Sequence, residues 1–482
     1  MKYFILFITI FVKFTTSTTN FDYESWDTSY EEDERPSIST NLEIPSFIPS
    51  LRPPPPSVDL EIEIPSNCKS DNFKITSLEE LEKISNCEIL IGNLHISNFK
   101  YPIITLKLEK ILGNLTIEKS PEIVRIEAPN LQIISNQFSL FELTSLSLIS
   151  FPNLKWVNVL NWTILPILSN VNFNHEIEGI ESITISDTSL TGFSGFLADS
   201  LRLLDINNNR FLDVIECNVE EIDYLRVGAN SKNVRVLFPK LRKIYKLMGI
   251  LNVESIYMDE LEVVEGSISL IDNYFQQIRF PKISLIKGTL SLLKNDQLNH
   301  VEFPNLNEIE GGLMVINNTL IENINFFSNV NIIGGALELI GSIKEITFKQ
   351  LKLVKGSAIV KSTSPYFDCQ KWLKSDIMLI VRGGKLECTN AKNEKTTSRT
   401  KEDGSGLDEK NLSGRAKSGS TSLSSSRSTS SGNKLDVDSG HNNHQHLDDP
   451  ITTTTSDSNG LTLDLKFEIY NVILLILNLL FD

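Results

Sequence analysis

Between residues 280 and 318 the chain repeats one pattern twice, with a period of 23 residues. Phe280-Pro281-Lys282-Ile283 leads through Ile286 to Gly288, then to Leu290 and Leu292; Phe303-Pro304-Asn305-Leu306 leads through Ile309 to Gly311, then to Leu313 and Val315. Apolar residues two and four places after a glycine alternate as a half-buried strand does. Each copy therefore reads as one coil: a proline-marked corner, a bend, a glycine turn and a strand. A single coil can bury its apolar side only against another coil, so the unit is stable only when stacked.

Stacking demands more copies. The glycine position recurs at Gly92, Gly113, Asn136, Val159, Lys246, Gly266, Gly335 and Gly356, and the corner at Ala128-Pro129, Phe151-Pro152 and Phe238-Pro239. The gap from Val159 to Lys246 has room for about four more coils, with strand-like runs at 183–185, 201–206 and 224–227. The predicted fold is all-β: a right-handed β-solenoid of about 22–23-residue coils with a short N-terminal capping helix and disordered flanks.

The predicted boundaries follow composition. Residues 1–19, Met1-Lys2 and an apolar run ending at Thr15-Thr16-Ser17, read as a secretory signal peptide too short to span a bilayer. Residues 20–66 are acidic and then proline-rich, a solvated linker. The solenoid occupies 67–390. Residues 391–458 are Ser, Thr, Gly and charge, the composition of an O-glycosylated stalk. Residues 459–482 combine a polar spacer with a 13-residue apolar tail broken by Asn471 and Asn478, the pattern of a glycosylphosphatidylinositol (GPI) signal, with Ser458 or Asn459 as the attachment residue.

Ser77 or Thr76, followed by Glu79 and Glu80, caps a short helix next to Cys68 and Cys87. A Cys68–Cys87 bridge would pin this cap to the first coil, and a Cys369–Cys388 bridge around Trp372 and a strand-like run at 377–381 would close the other end; sequence alone does not fix the pairing. Cys217 reads as a buried free thiol. N-glycosylation sequons stand at Asn114, Asn161, Asn317 and Asn411. Asn114 and Thr116 fall opposite in phase to the core residues Leu115 and Ile117, on the outer strand face. Asn209, Asn273, Asn295 and Asn318 each fall seven places after their marker, as a structural ladder at the coil turn would.

The outer face decides between function classes. Its clearest positions are Asn114/Thr116, Gln137/Ser139, Ser267/Ser269, Thr289/Ser291, Gly312/Met314, Ala336/Glu338 and Ser357/Ile359. A glycan-cleaving site needs paired carboxylates, and these positions hold one acid, Glu338, and no aromatic stack. The net charge of −16 lacks a nucleic-acid footprint. His441, His444 and His446 lie in the stalk and read as solvated, and Asp436, Asp438 and Gly440 lack the remaining positions of a calcium loop. We assign no catalytic residue, metal or cofactor from sequence.

With repeats, caps and processing signals assembled, the chain resembles the fungal GPI-anchored cell-wall-organisation and sporulation-specific proteins, whose leucine-rich repeats are similar to receptor L-domains. The resemblance covers about residues 68 to 390. It rests on Cys68 with Cys87, Ile91-Gly92-Asn93-Leu94, Gly113-Asn114-Leu115-Thr116-Ile117, Phe151-Pro152-Asn153-Leu154, Asn161-Trp162-Thr163-Ile164-Leu165-Pro166, and Phe367-Asp368-Cys369 with Cys388. It implies a non-enzymatic surface glycoprotein needed for wall or spore-wall architecture, held at the plasma membrane by its lipid or in the wall. Wall polysaccharide or wall proteins are the implied partners. The alternative is a surface receptor or adhesin that captures a glycan or protein on its solenoid.

Overall fold

The structure, a computed structural model, describes residues 63–400 and 406–407. The expected signal peptide, nearly all of the expected linker, Asn411, the histidine cluster, Ser458, Asn459 and the apolar tail lie outside the described residues. The described chain is a β-solenoid of about 13 turns. Each coil contributes to a large sheet, parallel but for its last two pairings. A second wall is built from shorter parallel strands such as Arg125–Glu127, Leu148–Ser150 and Asn170–Asn172.

The glycines mark where coils touch. A Cβ at Gly311 would lie 2.5 Å from the carbonyl of Gly288, so no side chain fits between the stacked turns. Where the marker is Asn136 or Val159, the turn is absent and the chain runs on as the long strands Ile133–Phe141 and Trp156–Leu165, with a register shift between Ile134 and Gln137. Three large-sheet strands, Ser182–Thr188, Ser200–Asn207 and Glu221–Gly228, fill the interval before Lys243–Leu251.

The core is the inward half of this alternation. Leu115, Ile117, Leu290, Leu292 and Leu313 have no exposed surface. The corner phenylalanines stack along the axis, Phe280 on Phe303 at 5.3 Å and Phe303 on Phe327 at 5.7 Å between ring centroids. The corner asparagines also tie coil to coil, Asn305 Nδ2 donating to Pro281 O and Asn329 Nδ2 to Pro304 O, each at 2.6 Å.

Both ends are capped. Helix α1 (Leu78–Lys83) starts at Ser77, whose Oγ accepts from Glu80 N, while Glu80 Oε2 accepts from Thr76 N at 2.6 Å. Cys68 and Cys87 form a disulfide beside it, and Cys369 and Cys388 form another at the far end. There α2 (Cys369–Leu373) is capped by Asp368 Oδ1, which accepts from Gln370 N and Lys371 N. The run at 377–381, expected as a strand, is instead the short helix α3 (Ile377–Ile380). An unbroken apolar run carries no period to separate the two; Ile377 and Val381 at its ends are buried. Ordered strand also continues into the range expected as stalk. Lys395–Thr400 pairs antiparallel with Lys385–Thr389, and Glu387, with its side chain 5% exposed, lies between Lys385 Nζ at 2.5 Å and Lys395 Nζ at 2.6 Å.

Cys217 is a buried free thiol, and burial pushes its pKa up to about 11.

Candidate functional site

The large sheet presents its outward residues in columns that run along the solenoid, because successive strands pair in register. One column passes through His95, Thr116, Ser139, Asn161, Thr184 and Asp205. It continues through Arg226, Gly249, Ser269, Ser291, Met314 and Glu338. The two halves differ in chemistry. The first is polar and charged: His95 Nε2 meets Glu118 Oε1 at 3.2 Å, and Asn207 Nδ2 donates to Asp205 Oδ1 at 2.7 Å. The second, after Arg226, is small or apolar from Gly249 to Met314, with Glu338 between Met314 and Ile359. Burial raises the Glu338 carboxyl above the ordinary range, against a weaker opposing pull from Lys361.

Three sequons fall on described residues. Asn114 is half-buried; its backbone N–H donates to Asn93 Oδ1 and its Oδ1 accepts from Gln137 N, while its Nδ2, the atom a glycan takes, makes no hydrogen bond among the described residues. Asn161 lies mid-column on the polar half, half-buried between Ser139 and Thr184. Asn317 is exposed, with φ of 54°, at the turn that leaves the sheet.

The four turn asparagines lie in a buried ladder. Asn295 Oδ1 accepts from Asn273 N at 3.1 Å and Asn273 Nδ2 at 2.9 Å, while its own Nδ2 donates to Leu270 O and Asn318 Oδ1 at 3.0 Å each. Asn209 does the same with Asn230, which sequence reasoning missed although it stands 21 residues on. The ladder satisfies turn backbone groups and faces inward, so it offers nothing to a ligand.

Sequence reasoning also missed Asp205 on the outer column, because the segment from 170 to 235 has no marker from which to count phase, and Glu387, which joins the column through Ile359 on the last parallel strand. Asp205 lies six strands from Glu338, about 29 Å at the usual strand spacing. Glu387 lies two strands from Glu338 in the other direction, about 10 Å, the upper edge of the spacing for inverting glycoside hydrolysis. Burial opposes the charge on Glu387, but its two lysines outweigh burial and hold the carboxyl below its ordinary range. Each of its oxygens is paired with a lysine ammonium, which makes it a weak base toward water. Among the described residues no cluster of three or more His, Cys, Asp or Glu could hold a metal ion.

Named fungal proteins are similar to this chain over most of its length and of theirs. The chain is 37% identical to Sporulation-specific protein 22 of Saccharomyces cerevisiae over 354 residues, covering 72% of this chain and 76% of the relative. It is 33% identical to the Cell surface GPI-anchored protein ECM33 of Candida albicans over 339 residues, covering 70% and 82%. The chain belongs to the fungal family of sporulation-specific and GPI-anchored cell-wall proteins. It is 32% identical to Cell wall protein ecm33 of Schizosaccharomyces pombe, covering 68% of this chain and 78% of that protein. No family model and no solved structure matches the chain. Membership gives it an extracellular location, at the outer leaflet of the plasma membrane or in the wall, and a cell-wall role.

Proposed function

We propose that this protein is a non-enzymatic surface glycoprotein that supports the organisation and integrity of the fungal wall, in growing cells or in the spore. The observation that carries the non-enzymatic reading is the outer column. The carboxylate nearest Glu338 along it at a catalytic spacing is Glu387, and Glu387 is sequestered by Lys385 and Lys395. What remains is a long, rigid face suited to holding something in place. Glycans on Asn114, Asn161, Asn317 and Asn411, and a lipid on Ser458 or Asn459, would keep it soluble outside the cell and tethered to the membrane. Wall polysaccharide or wall proteins are its partners.

The test is lysis of a strain lacking the gene in a wall-stressing dye, with and without osmotic support, in growing cells and in spores. Osmotically rescued lysis places the role in the growing wall, and a defect confined to spores places it in the spore wall. Normal resistance in both, with no relative compensating, overturns the reading. A receptor or adhesin role is favoured by one feature, the uncharged stretch of the outer column between Arg226 and Glu338.

A further inference from the structure

Small outward side chains flanked by two rows of longer ones make that stretch a shallow trough. Its floor is Gly249, Ser269 and Ser291, with Ser267, Thr289 and Gly312 in the next outward column. Ser267 Oγ accepts from Thr289 N at 3.0 Å, and Thr289 Oγ1 accepts from Gly312 N at 3.2 Å. Each hydroxyl thus spends a lone pair on the backbone and keeps its own hydrogen to give. One bank is a continuous aliphatic ridge, Leu251, Ile271, Leu293, Ile316 and Ile340, stacked in register. The opposite bank is polar: Tyr245, Glu265, Lys287 and Glu310 stand one per coil, with Lys287 Nζ 3.6 Å from Glu265 Oε1. At the head of the trough Tyr224 pairs with Leu247, and the Arg226 guanidinium lies 5.5 Å above the Tyr224 ring. Arg226 Nε is buried and has no hydrogen-bond partner among the described residues, a donor that normally costs free energy to leave unmet.

We infer that this trough seats a linear, neutral, β-linked hexose polymer laid along the solenoid axis. The inference rests on the wall-support reading above and gives it a contact surface. Adjacent strands repeat every 4.7–4.9 Å, comparable to the advance of one hexose in an extended β-linked chain. On the two strands that carry Ser267 and Thr289 a sugar meets a small floor, a hydroxyl donor, aliphatic methyls on one side and Glu265 or Lys287 on the other. A pyranose ring has that amphipathy, with C–H faces and a hydroxyl rim. The head adds the half-buried Tyr224 ring for the terminal sugar. No charge lines the floor or the aliphatic bank, which selects against an ionic polymer, since a charge placed there would lose hydration without a partner. The strand-borne sequons Asn114 and Asn161 lie on the polar half, so their glycans leave the trough open; Asn317 borders it at the turn.

The test uses the full chain purified from a secreting eukaryotic host, titrated calorimetrically with chitohexaose and with laminarihexaose. Wild type is expected to bind at least one. Ser291→Trp, which fills the floor, is expected to weaken binding at least tenfold, Leu293→Asp similarly, and Tyr224→Ala several-fold. Thr184→Trp, in the same column on the polar half, is expected to bind as wild type does. Thermal unfolding identifies any variant that fails to fold, and the floor and bank variants cover for each other. Equal affinity for folded Ser291→Trp, Leu293→Asp and wild type overturns the trough. Absence of binding to either sugar by wild type overturns the inference but leaves wall support standing if the deletion strain still lyses under wall stress. Both readings fall if that strain is normal. A dimer in sedimentation that Ser291→Trp abolishes, without sugar binding, shows that the face pairs with a second copy and overturns the inference.

Discussion

Replacing Asn295 with alanine isolates what the turn ladder contributes. The residue has no exposed surface, and its side chain makes four hydrogen bonds, to Asn273 N, Asn273 Nδ2, Leu270 O and Asn318 Oδ1. At about 1 kcal/mol net per bond the loss is roughly 4 kcal/mol, because buried partners on two neighbouring coils are left unmet. Asn252 is the control. It is half-buried, its Nδ2 donates to Asp272 O at 2.9 Å in a solvent-exposed bond, and it holds φ of 55°. Its replacement by alanine should cost about 1 kcal/mol or less. Urea unfolding of the full chain, followed by far-ultraviolet circular dichroism, measures both. A lower midpoint for Asn295→Ala with an unchanged slope is expected. If Asn295→Ala costs no more than Asn252→Ala, water reaches the ladder and the reasoning fails.

Replacing Cys369 and Cys388 together by serine opens a loop of sequence separation 19 and should cost about 3 kcal/mol on the chain-entropy account; thermal melting of variant and wild type checks it, and an unchanged melting temperature would show that the C-terminal cap holds without its bridge. Ile164 is β-branched yet sits at φ of 57° and is 38% exposed. Ile164→Asn should therefore raise stability by about 1 kcal/mol, read as a higher urea midpoint. Glu338 has a carboxyl pKa raised by burial, so the folded state binds its proton more readily than the unfolded state. Its contribution is most favourable below the unfolded value, about pH 4.3, and is lost as pH rises through the folded value. Glu338→Gln should melt higher than wild type at pH 7 with the gap closing toward pH 4, and a gap that widens on acidification would contradict the assigned shift.

How far the fold was legible follows from what sets the period. The glycine marker is visible because stacked backbones at Gly288 and Gly311 leave no room for a Cβ, and the Phe-Pro corner is visible because its ring must stack on the next. Between 170 and 235 sequence reasoning found strand-like runs at 201–206 and 224–227 but had no glycine marker to assign their faces, and a register shift between Ile222 and Tyr224 further obscures the phase. Tyr224, Arg226 and Asp205 therefore went unassigned. Phe327 was missed because its corner, Phe327-Ser328-Asn329-Val330, has no proline, yet it stacks as its neighbours do.

The trough was illegible for a further reason. A column on a solenoid joins residues from coils of unequal length: Leu247 to Ser267 is 20 residues, Ser269 to Ser291 is 22, Ser291 to Met314 is 23 and Met314 to Glu338 is 24. A fixed period drifts across columns after a few coils, whereas hydrogen-bonded register does not, since a slip of one residue would turn every core side chain outward. The inward pattern therefore announces itself coil by coil in the sequence, while the outward surface exists only after the coils are stacked. A binding face on such a protein is accordingly a property of the register between coils. Inserting two residues at Lys294, in the exposed turn that follows Leu293, would leave each coil's inward pattern intact and, if it shifted register, would break the ridge from Leu251 to Ile340.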